Sequence, residues 1–231
     1  MNIHDNPNAF TGIRILGNNI KIIGGRVTRN GSLGIGGGIY SPLLIDGVEI
    51  DHNGGSANCG FEGGGIKLVV SHSLLDNNYV HDNNCMGIWY DINSADNEIA
   101  HNRVDNNGEG GIFYEISQSA WIHDNEVSGN GSAKCSWLWG AGIGIASSFN
   151  VRVYGNALSG NCNGITGTQQ DRPDSTPPDH LLANLSVHDN RVAGPGKVGV
   201  GADNRADLTT RDIAFVSNAY TAGAQLCKFS C

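Results

Sequence analysis

Apolar and polar positions alternate in short runs along the chain, and the runs recur. Two nearly repeat each other: Gly87-Ile88-Trp89-Tyr90-Asp91-Ile92 and Gly111-Ile112-Phe113-Tyr114-Glu115-Ile116, 24 residues apart. Each reads as a strand whose side chains alternate between two faces. Turning Ile88, Tyr90 and Ile92 inward leaves Trp89 and Asp91 pointing out, and Phe113 and Glu115 do the same one unit later. The opposite phase would put four isoleucines in water.

The period holds over most of the chain. One column reads Asn78, Asn102, Asn125, Asn156, Asn190, Asn218, each followed two residues later by an apolar residue such as Val80 or Val104. Three residues past that apolar position comes a second column: Asn30, Asn53, Asn83, Asn107, Asn130, Asn161. A Gly-apolar pair then opens the next strand, as at Gly38-Ile39, Gly65-Ile66, Gly142-Ile143 and Gly164-Ile165. Strands this short are not stable alone. Stacked unit on unit, they pair in parallel, bury one continuous inner face and line up the asparagines as amide ladders. The pattern predicts an all-β parallel β-helix of about eight coils.

The repeat wording, apolar-x-apolar-x-x-Asn-x-apolar, resembles the right-handed parallel β-helix repeat family of the pectin-lyase-like superfamily, over roughly residues 13 to 220. Segments such as Phe61 to Lys67, Trp137 to Ile143 and Gln169-Gln170-Asp171-Arg172 look like parts of secreted bacterial β-helix proteins. The resemblance implies a fold, and places a site, without fixing a reaction.

Composition agrees with many strands and tight turns. Gly numbers 34, aromatic residues reach 7% and charged residues 16%. Gly and Asn tolerate the left-handed turns this needs. The net charge of −8 is spread evenly, so nucleic acid and anionic membranes are not expected partners. No stretch approaches 18 apolar residues, so no membrane span is expected. The chain reads as one domain, 1–231, with regular coils over about 13–220 and a short C-terminal end over 221–231. Ile3-His4-Asp5-Asn6 looks like the tail of an earlier coil, so an N-terminal cap is expected to be missing. Oligomeric state is not set.

Six cysteines stand at 59, 85, 135, 162, 227 and 231, with no CxxC pair. They read either as buried free thiols of a cytosolic protein or as disulfides of an exported one. Cys59 and Cys85 fall on consecutive units, as do Cys135 and Cys162, which predicts two coil-joining disulfides; Cys227 and Cys231 are close neighbours. The secreted or cell-surface reading follows from the disulfides.

Candidate chemistry gathers on one outer face. The register predicts outward rows Tyr40, Lys67, Trp89, Phe113, Gly144, Thr166 and Pro42, Val69, Asp91, Glu115, Ala146, Thr168. Stacked strands lie about 4.8 Å apart, which brings Asp91 and Glu115 to roughly 5–6 Å. Carboxylates that close raise one pKa, giving a general acid beside a base or nucleophile for glycosidic cleavage. The alternative is a Ca²⁺ site of Glu62, Asp91 and Glu115. Resemblance to pectate lyases implies that Lys67 or Arg172 acts on a uronate. Trp89, Phe113 and Trp139 offer aromatic faces to sugar rings. Two long loops flank these coils, Thr168 to His180 with Gln170, Asp171 and Arg172, and Gly131 to Gly140. A polysaccharide hydrolase or lyase is thus weighed against a non-catalytic glycan-binding or spacer solenoid. The plainest reading makes Asp91 and Glu115 merely solvated. His101, His123 and His188 read as solvated turn residues, and the Gly34-x-Gly36 and Gly63-Gly64-Gly65 runs as turns rather than phosphate loops.

Overall fold

A computed structural model describes residues 1–8, 10–171, 180–203 and 212–227. Two parallel sheets wind together, one of 15 strands and one of nine. Among the described residues no helix is long and apolar enough to cross a membrane. A typical coil supplies one strand to the smaller sheet, Met86–Tyr90, and two to the larger, Ala95–Ala100 and Arg103–Asp105.

The inner column of the nine-stranded sheet stacks like on like, with Ile35, Ile66, Ile88, Ile112, Ile143 and Ile165 in register. All six are at most 1% exposed. Tyr90 and Tyr114 fill the same core, and burial pushes both phenols well above their ordinary pKa. Their hydroxyls are satisfied by Ser73, 2.6 Å from Tyr90, and by the Gln118 carbonyl, 2.7 Å from Tyr114.

Both asparagine columns form the expected ladders. Asn78, Asn102, Asn125, Asn156, Asn190 and Asn218 donate amide to amide at 2.9–3.0 Å. The second ladder runs from Asn6 through Asn30, Asn53, Asn83, Asn107 and Asn130 to Asn161, again at 2.9–3.0 Å. From Asn53 onward each amide oxygen also takes the backbone N–H of the preceding asparagine, as Asn130 does from Asn107 at 2.9 Å. The ladder thereby satisfies amide and backbone N–H groups that the corner buries. Serines serve the third corner: Ser94 and Ser148 accept the backbone N–H of Val70 and Ser117, each at 3.0 Å.

Two features of the predicted register change. In the first coils Ile35, not Ile39, pairs with Ile66, and Gly36 faces Lys67. Tyr40 and Pro42 therefore leave the outward rows, and the strand at Thr11–Ile15 sets Arg14 opposite Gly36. Leu33 to Ile39 contains two Gly-Ile pairs, and the run of glycines after Ile35 disguised the choice. The strand at Met86 also ends at Tyr90. Ile92 is not inward: it takes a left-handed φ of 40° and is 49% exposed, because the chain must turn the corner there.

Cys59–Cys85 and Cys135–Cys162 are disulfides with Cα separations of 5.1 and 5.5 Å. Cys227 is also disulfide-bonded, while Cys231 lies outside the described residues. Such pairing marks a protein that matures in an oxidising environment.

Candidate functional site

The outer face of the nine-stranded sheet carries one row of facing side chains: Arg14, Gly36, Lys67, Trp89, Phe113, Gly144. The next row holds Asp91 and Glu115, which the pairing of Tyr90 with Tyr114 brings to adjacent rungs. These residues point out of the solenoid, yet Lys67, Trp89, Asp91, Phe113 and Glu115 are only 5–7% exposed. Loops fold back across part of this face, onto Lys67 and Phe113.

Two loops do this. Residues 55–63 are tied down by Cys59–Cys85, and the Phe61 carbonyl accepts a hydrogen bond from Lys67 Nζ at 2.5 Å. Residues 131–140 are tied down by Cys135–Cys162. There the Trp139 carbonyl accepts from Asn163 at 2.6 Å and the Leu138 carbonyl from Thr166 at 3.0 Å. Trp139 thus lies on Phe113 with ring centres 6.1 Å apart. Gly144 makes this fit: a Cβ there would stand 3.1 Å from the Phe113 ring. Met86, Trp89, Phe113 and Ala146 form a small apolar cluster under Trp139. Trp89 Nε1 is buried in it and finds no hydrogen-bond acceptor among the described residues.

Lys67 is the hub. Its ammonium is 3.0 Å from Asp91 and 3.6 Å from Glu62, and it sits over the Trp89 ring at 3.7 Å. With the Phe61 carbonyl, these contacts surround the ammonium on every side the described residues offer. Asp91 Oδ1 further accepts the Ile92 N–H at 2.9 Å, so Lys67 and Asp91 hold the corner as well as each other. A cation already stands between Glu62 and Asp91, and the pair does not fit Ca²⁺ while it does. Among the described residues the converging set is instead Glu49, Asp51 and His81, with ligand atoms within 4.8 Å. Arg26 fills that place, bound to both Asp51 oxygens at 2.8 Å.

Beside the hub, over the first coils, the face opens. A groove of about 390 Å³ runs along Phe10, Arg14, Tyr40, Glu62 and Lys67, with Gly36, Gly37 and Gly38 as its floor. Phe10 is 58% exposed on its rim. Phe10, Arg14 and the glycine floor were missed in sequence. Arg14 sits on the outward phase of Thr11-Gly12-Ile13-Arg14-Ile15, and extending the row one coil earlier would have found it.

Of the remaining candidates, Gln170 ends its strand half-buried, its N–H bonded to Ser147 Oγ at 3.0 Å, and Asp171 follows, exposed. Arg172 lies outside the described residues. His123 and His188 are not simply solvated: Tyr154 stacks between them, with ring centres 4.8 and 5.1 Å away.

This arrangement of two parallel sheets, asparagine corners and an outward site defines a solenoid of the β-helix class. The family model of the right-handed β-helix region matches residues 1–127 and 58–176, and the chain belongs to that family. A comparison with curated proteins and one with solved structures returned no match.

Proposed function

We propose that the protein is a secreted or cell-surface carbohydrate-active β-helix, one solenoid domain that takes a polysaccharide along the outer face of its nine-stranded sheet. The observation that carries this reading is the glycine-floored groove rimmed by Phe10, Tyr40, Arg14, Glu62 and Lys67. A sugar ring has apolar CH faces that pack on aromatic rings and a rim of hydroxyls that needs charged or polar partners. Gly36 and Gly38, the outward positions of the glycine run, leave the floor low enough for a ring to approach the backbone. The net charge of −8 disfavours nucleic acid as an alternative polymer.

Binding is the best-supported activity, because Asp91 and Glu115 are only 7% and 6% exposed rather than open to a glycosidic bond. The second reading, cleavage, is favoured by one observation: Glu62 and Asp91 converge on Lys67 at the edge of the groove. Affinity electrophoresis through gels containing neutral and acidic polysaccharides tests binding. Retardation by at least one polysaccharide, lost in Arg14→Ala with Phe10→Ala, is the expected result; equal mobility in every gel would refute it. The same polysaccharides, incubated with protein, test cleavage. New reducing ends signal a hydrolase and an ultraviolet-absorbing unsaturated product a lyase, each abolished by Asp91→Asn or Glu115→Gln.

A further inference from the structure

The larger sheet has an outer face of its own, and it is not uniform. Its outward row reads Leu74, Glu98, Trp121, Arg152, Ser186 across consecutive rungs. Trp121 is 37% exposed, although its neighbours Ala120 and Ile122 are at most 1% exposed. Rungs spaced about 4.8 Å apart set Arg152 directly against it. Arg26, Arg29 and Arg103 each clamp an aspartate, whereas Arg152 makes no ion pair among the described residues.

One rim of this strip is built by a backbone device. Asp96, Ser119, Asn150 and Asn184 occupy one position on successive coils, all with left-handed φ between 47° and 57°. Each bend throws a short polar side chain to the same side. Asn184 donates to Asn150 at 2.7 Å, a bond that uses neither the Asn150 amide hydrogens nor the Asn184 oxygen. With Trp121, Arg152 and Ser186 these residues line an open surface cavity of about 460 Å³.

We propose that this cavity is a second saccharide site, separate from the groove on the smaller sheet, and that it takes an uncharged sugar. The indole gives a flat apolar face for the ring. Arg152 and the Asn150 amide donate, while Asp96, the Asn184 oxygen and the serine hydroxyls accept. That mixture suits hydroxyls, which both donate and accept. Asp96 lines the same cavity, so an anionic sugar meets a carboxylate there as well as the guanidinium and gains little. Neither the binding of a polysaccharide in the first groove nor any cleavage is needed for this inference.

The four tryptophans give a direct readout through their indole N–H resonances, with the Trp121 signal identified by its absence in Trp121→Ala. The probes are cellotetraose, maltotetraose and mannotetraose, with tetragalacturonate as the charged counterpart. At millimolar concentration at least one neutral tetrasaccharide should move the Trp121 resonance saturably. Arg152→Gln, which removes an exposed group and leaves the core untouched, should weaken that binding tenfold or more. Arg14→Ala should leave it unchanged, which separates this site from the first groove. The proposal is overturned if no neutral probe moves the Trp121 resonance, if tetragalacturonate moves it more than they do, or if Arg152→Gln binds as tightly as the parent.

Discussion

Lys67→Met is the substitution that most sharply tests how the outer face is held. The side chains of Lys67 and Asp91 are 7% and 10% exposed and meet at 3.0 Å. Removing one partner of a buried pair strands the other charge, at a cost of about 3–5 kcal/mol. Methionine keeps the contact with Trp89, so the loss isolates the charge. Asp91→Asn is milder, about 1–3 kcal/mol, because Lys67 retains Glu62 and the amide oxygen of the introduced asparagine can still accept the Ile92 N–H. Combined, the two changes leave no stranded charge between those positions. The double variant should therefore be more stable than the sum of the singles by about 2 kcal/mol or more. Urea unfolding followed by far-ultraviolet circular dichroism, with unchanged slopes, gives the three values. Additive losses would refute the ion pair as the device that closes this face. Outward orientation alone would leave folding untouched in Asp91→Asn; the buried contact with Lys67 is why a loss is expected.

Three further outcomes follow from the fold. Asn107→Ala strands the Asn83 backbone N–H, which it accepts at 3.2 Å, and removes a donor from the Val80 carbonyl, 3.1 Å away; denaturant unfolding should show a loss of about 2–5 kcal/mol. Asn107→Asp should be no better, since its carboxylate cannot donate along the ladder. Closing loops of 26 and 27 residues, each coil-joining disulfide should contribute roughly 3.5 kcal/mol in the chain-entropy model. Thiol titration of the unfolded, unreduced chain should accordingly find Cys59, Cys85, Cys135 and Cys162 blocked. Burial alone would raise the pKa of Asp51, but hydrogen bonds from Arg26, His52 and Thr28 outweigh it and hold the carboxyl at about 2. A depressed folded pKa stabilises above the unfolded value of about 3.9. That contribution, about 2 kcal/mol, is lost as pH falls from 4 towards 2. Stability measured across that window should fall less steeply in Asp51→Asn.

Much of this architecture was legible because the repeat states it many times over. Asparagines two residues before an apolar position, coil after coil, can only be a ladder, and cysteines in equal register can only meet across coils. Alternation also put Trp89, Asp91, Phe113 and Glu115 on the outer side. It could not tell that they are covered, since coverage depends on loops whose return path has no period. Nor does period 2 announce where a strand stops: Ile92 fits the alternation, but the corner requires a left-handed residue there. In the first coils, glycines satisfy either register equally, so Gly36 and Arg14 were hidden while Tyr40 and Pro42 took their places. The stacked His123, Tyr154 and His188 rings were obscured for another reason: each looks like an isolated turn residue until the rungs are aligned.

The central claim is that a polysaccharide lies in the groove of the smaller sheet. Backbone amide resonances, followed while a polysaccharide that retards the protein in gels is titrated in, locate the bound chain directly. The account predicts shifts concentrated at Thr11, Arg14, Gly36, Gly37 and Tyr40, absent in Arg14→Ala with Phe10→Ala. Binding that leaves all five unmoved, or shifts that persist in that double variant, would contradict it.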